Sequence, residues 1–454
     1  MELKDNDSKE VYDIFLAIEC LVVYKNISKD PVIKIFSQIL KMLLNDDNLL
    51  EAFEKYHEFI GRLVEEKEKN NTCFSGNIWQ EYILELILRD ENCFSKQCES
   101  LEFESISDYL KDMVIHDLQC LKKLYELDIN MIKNLLMEKL QLGYIVSLPD
   151  FIDMGLKNEY PYPEYYFIEK ESIKDKLHNS DNWKKNIRDL ACFYKKVGCG
   201  NFGRYWAFKW IQTENGGRLE GIAVPDPVKL HEIIGYEEQK KEVYRNTKQF
   251  VKGFKANNVL LYGDRGTGKS STVKALIHEF GKDGLRIVEV LKDQLNYLPE
   301  IISQLKNRPQ RFIIFIDDLS FEEFETDYKY LKSILEGSLE STPGNVIIYA
   351  TSNRRHLIRE FFSDQREEEK RANETLEEKL SLSDRFGITV LFNAPNQEDY
   401  LKIVEGIAKN RGLSIDSEVL RKMALQWELW NNQRSGRTAK QFIDDLMGRM
   451  GIKN

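Results

Sequence analysis

A glycine-rich octet in the C-terminal half of the chain constrains the fold more than any other feature. Residues Gly263–Ser270 read GDRGTGKS, directly after a predicted strand (Asn258–Tyr262) and directly before a predicted helix (Ser271–Phe280). Glycines let the backbone curl so that successive N–H groups point at a phosphate, and the helix start adds the positive end of its dipole. Strand, loop and helix in this order predict a nucleotide-phosphate-binding loop within an α/β domain.

The order of residues in the octet also predicts what each contributes. Lys269 is expected to reach the β- and γ-phosphates, and the Ser270 hydroxyl is expected to ligate Mg²⁺. ATP and Mg²⁺ are therefore the predicted cofactors. The residues predicted to contact the nucleotide from this loop are Gly263, Asp264, Arg265, Gly266, Thr267, Gly268, Lys269, Ser270 and Ser271.

Two acidic residues follow a second apolar run, the predicted strand Arg311–Ile316. A carboxylate at the end of a buried strand is costly without a partner, and a Mg²⁺ ion held by the glycine-rich loop would supply one. Asp317 is therefore the predicted metal ligand. Asp318 stands where a general base could orient water, although a glutamate would reach further. Glu322 and Glu323 are the alternatives, and if none is placed correctly the protein binds ATP but turns it over slowly.

The N-terminal part of the chain has a helical pattern. Apolar residues recur at spacings of three, four and seven, and Gly and Pro are scarce, so residues 1–196 are predicted to form an all-α domain. Residues 197–228 are rich in Gly, Pro and aromatic residues and are predicted to be a linker. Its aromatic cluster is expected to pack the junction, with a binding surface as the alternative. The cluster comprises Tyr205, Trp206, Phe208 and Trp210.

Beyond residue 228, short β-rich runs alternate with helical stretches. This alternation predicts an α/β domain over residues 229–395, with a parallel sheet covered by helices on both faces. The remaining predicted strands are Leu285–Val290, Val346–Ala350 and Ile388–Phe392. Residues 396–454 are predicted to form a small helical lid, with helices near 397–410, 416–430 and 437–449.

Composition narrows the partners and the compartment. The formal net charge of −10 argues against attraction of the whole molecule to nucleic acid or to an anionic membrane. No apolar run of about 18 residues is present, and the N-terminus lacks the features of a secretory signal, so we expect a cytoplasmic protein without a membrane segment. All seven cysteines precede residue 200 without a CxxC pair, which predicts reduced thiols rather than a zinc site.

Six motifs in a fixed order carry a family resemblance. They are IIGYEEQ (233–239), NNVLLYGDRGTGKSS (257–271), FIDDLSFE (315–322), YATSNRRHL (349–357), LSLSDRFG (380–387) and SGRTAKQFIDDL (435–446). The chain resembles the AAA+ ATPases, and residues 220–450 are similar to the bacterial family catalogued as domain of unknown function 815. The resemblance covers about half of the chain and implies a nucleotide-binding α/β domain followed by a helical lid.

The resemblance implies roles for residues outside the loop. Ile233, Ile234 and Tyr236 would line the adenine pocket, since the stretch before the first strand does so in AAA+ proteins. Asn353 resembles the first sensor, which helps to hold the attacking water or the γ-phosphate. Arg437 resembles the second sensor, which reaches from the lid to the phosphates, and its alternative is an ordinary charge at a helix start.

Arg385 resembles the arginine finger, which in this superfamily serves the ATP bound by a neighbouring subunit. This implies a homo-oligomer, whereas a surface ion pair beside Asp384 is the alternative. Ring-shaped translocases also carry an aromatic-hydrophobic-Gly loop after the second strand. Here that place holds Leu291–Leu298 with no glycine, so threading of a polypeptide is not expected.

Three functional hypotheses follow. The first is a Mg²⁺-dependent ATPase that couples nucleotide binding and hydrolysis to a conformational change of an oligomer acting on a macromolecular partner. The second is a slow or non-hydrolysing ATP switch whose helical N-terminal domain binds a protein partner. The third, a nucleic-acid-associated loader, is disfavoured by the acidic balance. The segment 354–379 is rich in both charge signs and predicts a solvated helix face, with a DNA or partner contact as the alternative.

Overall fold

The computed structural model describes residues 2–70, 77–141, 143–146, 164–213, 216–321, 328–336, 343–354, 382–431 and 433–451. The chain divides into two compact units, Met1–Tyr205 and Trp206–Asn454. Several residues considered above lie outside the described residues, namely Cys73, Glu322, Glu323 and the charged segment from residue 355 onward to 379.

The described part of the first unit contains helices and no strand. Its α-helices are α1 (Glu2–Glu19), α2 (Pro31–Asn45), α3 (Leu49–Asn70), α4 (Ile78–Arg89), α5 (Cys93–Ser100), α6 (Asp108–Glu126), α7 (Ile129–Leu140), α8 (Glu164–His178), α9 (Ile187–Val197) and α10 (Gly200–Arg204). Short 3₁₀ helices span Ile27–Lys29, Phe103–Ser105 and Trp183–Asn186. The predicted all-α region is confirmed for these residues.

The helices of the first unit pack around one aromatic-rich core. Phe36 of α2 contacts Phe59 of α3 and Trp79 of α4, with ring centroids 5.2 and 5.0 Å away. All three side chains are fully buried. Buried aromatic pairs of this kind add about 0.5–1.5 kcal/mol each beyond their area burial, so the three rings fix how α2, α3 and α4 meet.

The second unit is built on a seven-stranded sheet. Its strands are β1 (Ala207–Thr213), β2 (Gly216–Ile222), β3 (Val259–Gly263), β4 (Leu285–Glu289), β5 (Arg311–Ile316), β6 (Val346–Ser352) and β7 (Ile388–Phe392). Their spatial order is β2-β1-β4-β5-β6-β3-β7. All neighbouring pairs are parallel except β1 and β2. The predicted parallel sheet is confirmed, with one antiparallel edge strand added.

The predicted linker over residues 197–228 is wrong for most of its length. Residues 207–213 and 216–222 form a β-hairpin that extends the sheet beside β4, and α10 belongs to the first unit. Phe208 and Trp210 are buried because they alternate along β1 with outward-facing residues, and that period of two is the strand signal. Trp210 lies over Gly217, where any β-carbon would overlap its ring. Phe208 and Trp210 therefore pack within the second unit, and packing of a junction between the two units stays a prediction.

The remaining helices surround the sheet and form the lid. They are α11 (Glu237–Val251), α12 (Lys269–Phe280), α13 (Leu298–Leu305), α14 (Tyr328–Glu336), α15 (Gln397–Asn410), α16 (Ser417–Asn431) and α17 (Gly436–Arg449), with 3₁₀ helices at Leu230–Glu232 and Lys292–Tyr297. The last three helices share a small core that includes Tyr400, Phe442 and Ile443. Within the described parts of both units, no helix is long and apolar enough to cross a membrane.

Candidate nucleotide site

Three adjacent strands deliver the candidate site to one edge of the sheet. β6 lies between β5 and β3, and all three run parallel, so their carboxyl ends meet at the same edge. The glycine-rich loop leaves β3, Asp317 and Asp318 leave β5, and Asn353 leaves β6. A cavity of about 930 Å³ opens there, within the range of about 300–1,000 Å³ typical of small-molecule sites.

Glycine is required at positions where the loop bends. Gly263, Gly266 and Gly268 have φ angles of +128°, +75° and +93°, which residues with a β-carbon rarely adopt. A β-carbon on Gly263 would also stand 2.2 Å from the Phe392 carbonyl oxygen. The loop is thus fastened to the end of β7, and helix α12 begins immediately after it, at Lys269.

Lys269 is folded back into the loop. Its Nζ donates to the carbonyl oxygens of Gly263 at 2.9 Å and Asp264 at 2.7 Å, and to Asn353 Oδ1 at 3.3 Å. Burial lowers the pKa of this lysine, and the nearby carboxylates of Asp264, Asp318 and Asp317 act in the opposite direction. A partly desolvated ammonium group at the mouth of a phosphate loop is a strong attractor for an anion.

Asp264 joins the loop to the end of β7 and the segment that follows it. Its carboxylate Oδ2 accepts a hydrogen bond from the Ala394 backbone N–H at 2.6 Å, and its own N–H donates to the Phe392 carbonyl at 3.0 Å. Tyr236 fastens the same segment by donating its hydroxyl to the Asn393 carbonyl at 2.8 Å. Burial raises the pKa of Tyr236 to about 12, so the hydroxyl keeps its proton at neutral pH.

The predicted metal ligands lie side by side. Ser270 Oγ donates to Asp317 Oδ1 at 2.6 Å, which joins the end of the loop to the end of β5. A hydroxyl and a carboxylate are hard oxygen ligands of the kind Mg²⁺ takes, usually together with substrate phosphates and water. The donor set therefore fits this ion, and Ser270 and Asp317 are the two side chains that would hold it.

Asp318 occupies an uncommon backbone conformation. Its φ is +50°, in the left-handed region, and its side chain is exposed. Asn353 Nδ2 donates to Asp318 Oδ1 at 2.5 Å, while the same amide accepts from Lys269 through its oxygen. Asn353 therefore links the loop lysine to the predicted base.

One wall of the cavity is apolar, and residues of the lid form part of it. Ile233, Ile234 and Tyr236 line it from the segment before α11, and Ile403 and Ile407 line it from α15. Ile234 packs directly against the glycine at position 406 of α15, where a β-carbon would stand 2.7 Å from its Cγ1. An adenine pocket at this apolar wall stays a prediction.

Five cations line the cavity from the loop and the lid, namely Arg265, Lys269, Arg411, Arg437 and Lys440. Arg411 is paired with Asp444. Arg437 also donates its backbone N–H to the Gly266 carbonyl at 3.2 Å, so the start of α17 rests on the loop. Positive charge of this density favours a polyanionic ligand.

Most of the predicted site residues line this one cavity. They are Ile233, Ile234, Tyr236, Arg265, Gly266, Thr267, Gly268, Lys269, Ser270, Ser271, Asp317, Asp318, Asn353 and Arg437. Gly263 and Asp264 stabilise the loop through their carbonyl oxygens, which accept hydrogen bonds from Lys269. Arg385 is not brought to the cavity, because it precedes β7 and so lies toward the opposite edge of the sheet. Its role as a finger for a neighbouring subunit stays a prediction.

The predicted site residues do not include several of the cavity residues. Examples are Thr351 of β6 and, from the lid, Ile403, Ile407, Asn410, Arg411 and Lys440. Thr351 carries a signal that was available, since it precedes Asn353 by two residues and alternation along a strand puts both on one face. The lid residues carry no such local signal, because their position depends on how α15 and α17 fold over the loop.

Comparison with known proteins gives one family and distant structural neighbours. The sequence profile of the family described as "Protein of unknown function (DUF815)" matches residues 203–450. No curated protein sequence matches the chain. The chain is similar to the Thermotoga maritima RuvB Holliday junction branch migration motor, with 16% identity and a TM-score of 0.32 over 48% of this chain and 72% of that chain. A mutant of the same RuvB gives 18% identity and a TM-score of 0.35 over 50% and 69%.

The matched residues span almost all of the second unit. The parallel sheet of that unit carries the glycine-rich loop after β3, the acidic pair after β5 and a helical lid after β7. The matched residues 203–450 amount to more than half of the 454 residues. The chain therefore belongs to the DUF815 family, and its second unit has the α/β fold with a helical lid that the resemblance to the AAA+ ATPases implied.

Proposed function

We propose that this protein is a Mg²⁺-dependent ATPase that couples ATP binding and hydrolysis to a conformational change of an oligomer acting on a macromolecular partner. The observation that carries the proposal is the convergence of Lys269, Ser270, Asp317, Asp318 and Asn353 at one end of a single cavity. Each of these residues has a hydrogen bond to at least one other member of the set. Such a cluster of a cation, a hydroxyl, two carboxylates and an amide suits phosphoryl transfer.

Binding of the triphosphate is assigned to the loop and the lid. Lys269 exchanges its backbone carbonyl partners for phosphate oxygens, because an ionised acceptor gives a stronger hydrogen bond than a neutral carbonyl. The backbone N–H groups of the loop and the start of α12, which begins at Lys269, would also donate to phosphate oxygens. Arg437 and Lys440 approach from α17 and would contact the phosphates from the opposite side.

Ser270 and Asp317 would hold Mg²⁺ between the loop and β5. A bound Mg²⁺ ion neutralises charge that develops on the phosphoryl oxygens. Asp318, one residue further, is the candidate that orients the attacking water, and Asn353 is positioned to hold either that water or the carboxylate of Asp318. The chain's own side chains therefore supply an orienting base and a polar guide next to the phosphates.

Steady-state hydrolysis tests this proposal. Full-length protein with ATP and Mg²⁺ should release phosphate at a rate that Lys269→Ala abolishes. If Arg385 completes the site of a neighbouring subunit, the rate per protomer should fall on dilution. A mixture of Lys269→Ala and Arg385→Ala proteins should then regain activity that neither variant has alone, because one supplies the finger and the other the intact site. A monomer that hydrolyses ATP at the full rate would contradict the oligomeric part.

A second candidate is an ATP-controlled switch with slow turnover, whose helical N-terminal unit binds a protein partner. The hydrogen bond from Asn353 to Asp318 favours it, because a carboxylate engaged by an amide at 2.5 Å is less available to orient water. Single-turnover hydrolysis with enzyme in excess separates the two candidates. Tight ATP binding with negligible turnover would select the switch, and rapid turnover would exclude it.

A further inference from the structure

Thr351 lies near the carboxyl end of β6, the middle one of the three strands whose carboxyl ends carry the site. It belongs to β6 and pairs in register with Leu261 of β3 on one side, and its carbonyl accepts from the Leu319 N–H at 2.7 Å on the other. Only 2% of its surface is exposed. The residue thus stands between the strand that delivers the glycine-rich loop and the strand that delivers the two carboxylates.

The Thr351 hydroxyl contacts both acidic residues. It donates its proton to Asp317 Oδ1, and it accepts the backbone N–H of Asp318 at 2.9 Å. A hydroxyl has one proton to donate, so these two bonds define its orientation. The bond from the Asp318 N–H also supports the left-handed backbone at that residue, a conformation that costs an ordinary L-residue about 1–2 kcal/mol.

Two hydroxyl groups donate to the same oxygen of Asp317. Asp317 Oδ1 accepts from both Ser270 Oγ and Thr351 Oγ1. Ser270 would bind Mg²⁺ through a lone pair of its hydroxyl, so the position of that hydroxyl would follow the ion. Thr351 is the described side chain that donates to Asp317 from within the sheet, with no ligand role assigned to it.

We propose that Thr351 is a positioning residue, which orients Asp317 for Mg²⁺ and holds the backbone turn that presents Asp318. The inference rests on the proposed binding of ATP with Mg²⁺. Hydrogen-bonded partners of metal ligands typically contribute about 10- to 100-fold in metal affinity or activity. Loss of the Thr351 hydroxyl should therefore weaken the affinity of the site for Mg²⁺ while leaving the contacts of the loop with the phosphates intact.

The test compares Thr351→Val with Thr351→Ser. Valine keeps the shape of the side chain and removes the hydroxyl, whereas serine keeps the hydroxyl. Binding of a fluorescent, slowly hydrolysed ATP analogue to the full chain is measured over a range of Mg²⁺ concentrations and in EDTA. Thr351→Val should raise the Mg²⁺ concentration at half-saturation about 10- to 100-fold, with affinity in EDTA unchanged. Thr351→Ser should stay close to the wild type.

Hydrolysis gives a second readout, since Thr351→Val should lower kcat for ATP at saturating Mg²⁺ more than it changes KM. Equal Mg²⁺ dependence in the valine and serine variants would overturn the inference and leave ATP binding standing. A wild type that fails to bind the analogue would overturn both. If Thr351→Val does not fold, Thr351→Cys replaces it, because a thiol is similar in size to the serine hydroxyl but is a weak donor. Cysteine and serine variants that behave alike would again overturn the inference.

Discussion

Replacement of Gly266 by alanine tests whether the lid rests on the phosphate-binding loop as the structure has it. The φ angle of Gly266 is +75°, so alanine would be strained there. Its β-carbon would stand 2.9 Å from Ser435 Oγ and 3.0 Å from Ser435 Cβ, and 3.2 Å from Arg437 Cβ. Ser435 caps α17 and Arg437 lies in its first turn, so we expect the overlap to push the loop and the start of α17 apart.

Gly284 supplies a matched control. Its φ angle is +92°, and a β-carbon there meets no atom within 4 Å. Gly284→Ala therefore introduces the backbone strain alone, about 1–2 kcal/mol. Gly266→Ala adds overlap in a packed region, which typically costs about 1–3 kcal/mol more. We expect the free energy of unfolding to fall by about 1–2 kcal/mol for Gly284→Ala and by about 2–5 kcal/mol for Gly266→Ala.

Denaturant unfolding followed by circular dichroism measures the two free energies, and equilibrium ATP binding measures the effect on the site. Because Arg437 leaves the loop together with α17, Gly266→Ala should also weaken ATP binding, whereas Gly284→Ala should not. Equal losses of stability in the two variants, together with unchanged ATP affinity, would refute the contact between loop and lid.

Two further predictions concern buried charges. Burial lowers the pKa of Lys269 below its ordinary 10.5. Just below pH 10.5 the unfolded chain therefore binds more protons at this residue than the folded protein does. The contribution of Lys269 to the free energy of unfolding thus rises with pH in that window. Because ATP binding requires the protonated lysine, the affinity for ATP should fall over the same pH window, and binding should be accompanied by proton uptake. Calorimetry in two buffers measures this uptake, and its absence would contradict the prediction. In the first unit, Lys174 is fully buried and donates to Glu85 at 2.6 Å. Lys174→Met should lower the free energy of unfolding by about 3–5 kcal/mol. The exposed control Lys196→Met should lower it by less than about 1 kcal/mol. Similar losses in the two variants would show that burial of Lys174 does not matter.

The strands and lid helices were predictable because their signals are local. The apolar runs Arg311–Ile316 and Ile388–Phe392 form strands with the predicted bounds. Asn396 and Ser435 cap the helices that follow them through their side chains, as their residue types favour at a helix start. Sequence spacing of this kind acts within a few residues, so it needs no knowledge of the tertiary fold.

The hairpin at residues 207–222 was missed for a physical reason. Gly216 and Gly217 indicate a break, and aromatic residues near a break suggest a junction between domains. Their actual role depends on a distant partner, because Trp210 packs on Tyr297 with ring centroids 6.1 Å apart and the Gln294 amide donates to its carbonyl at 3.4 Å. Local composition does not reveal which element covers the ring.

The residues of the candidate site also differ in whether local sequence indicates them. The contacts within the loop follow from an octet whose spacing is set by phosphate geometry, so sequence indicates Lys269 and Ser270 directly. Thr351 and Lys440 reach the cavity only through the strand order and the fold of the lid. Asp318 was predicted as a candidate base, but its left-handed backbone and its bond to Asn353 are properties of the turn that no residue pattern encodes.

Equilibrium binding of ATP to full-length protein and to Lys269→Ala, at saturating Mg²⁺, tests the central claim most directly. Removal of a charged hydrogen-bond donor typically costs about 1.5–3 kcal/mol, which corresponds to a loss of affinity of about 10- to 100-fold. We expect saturable binding of one ATP per chain to the wild type and a loss of that size in the variant. Equal affinity of the two proteins, or no saturable binding to either, would contradict it.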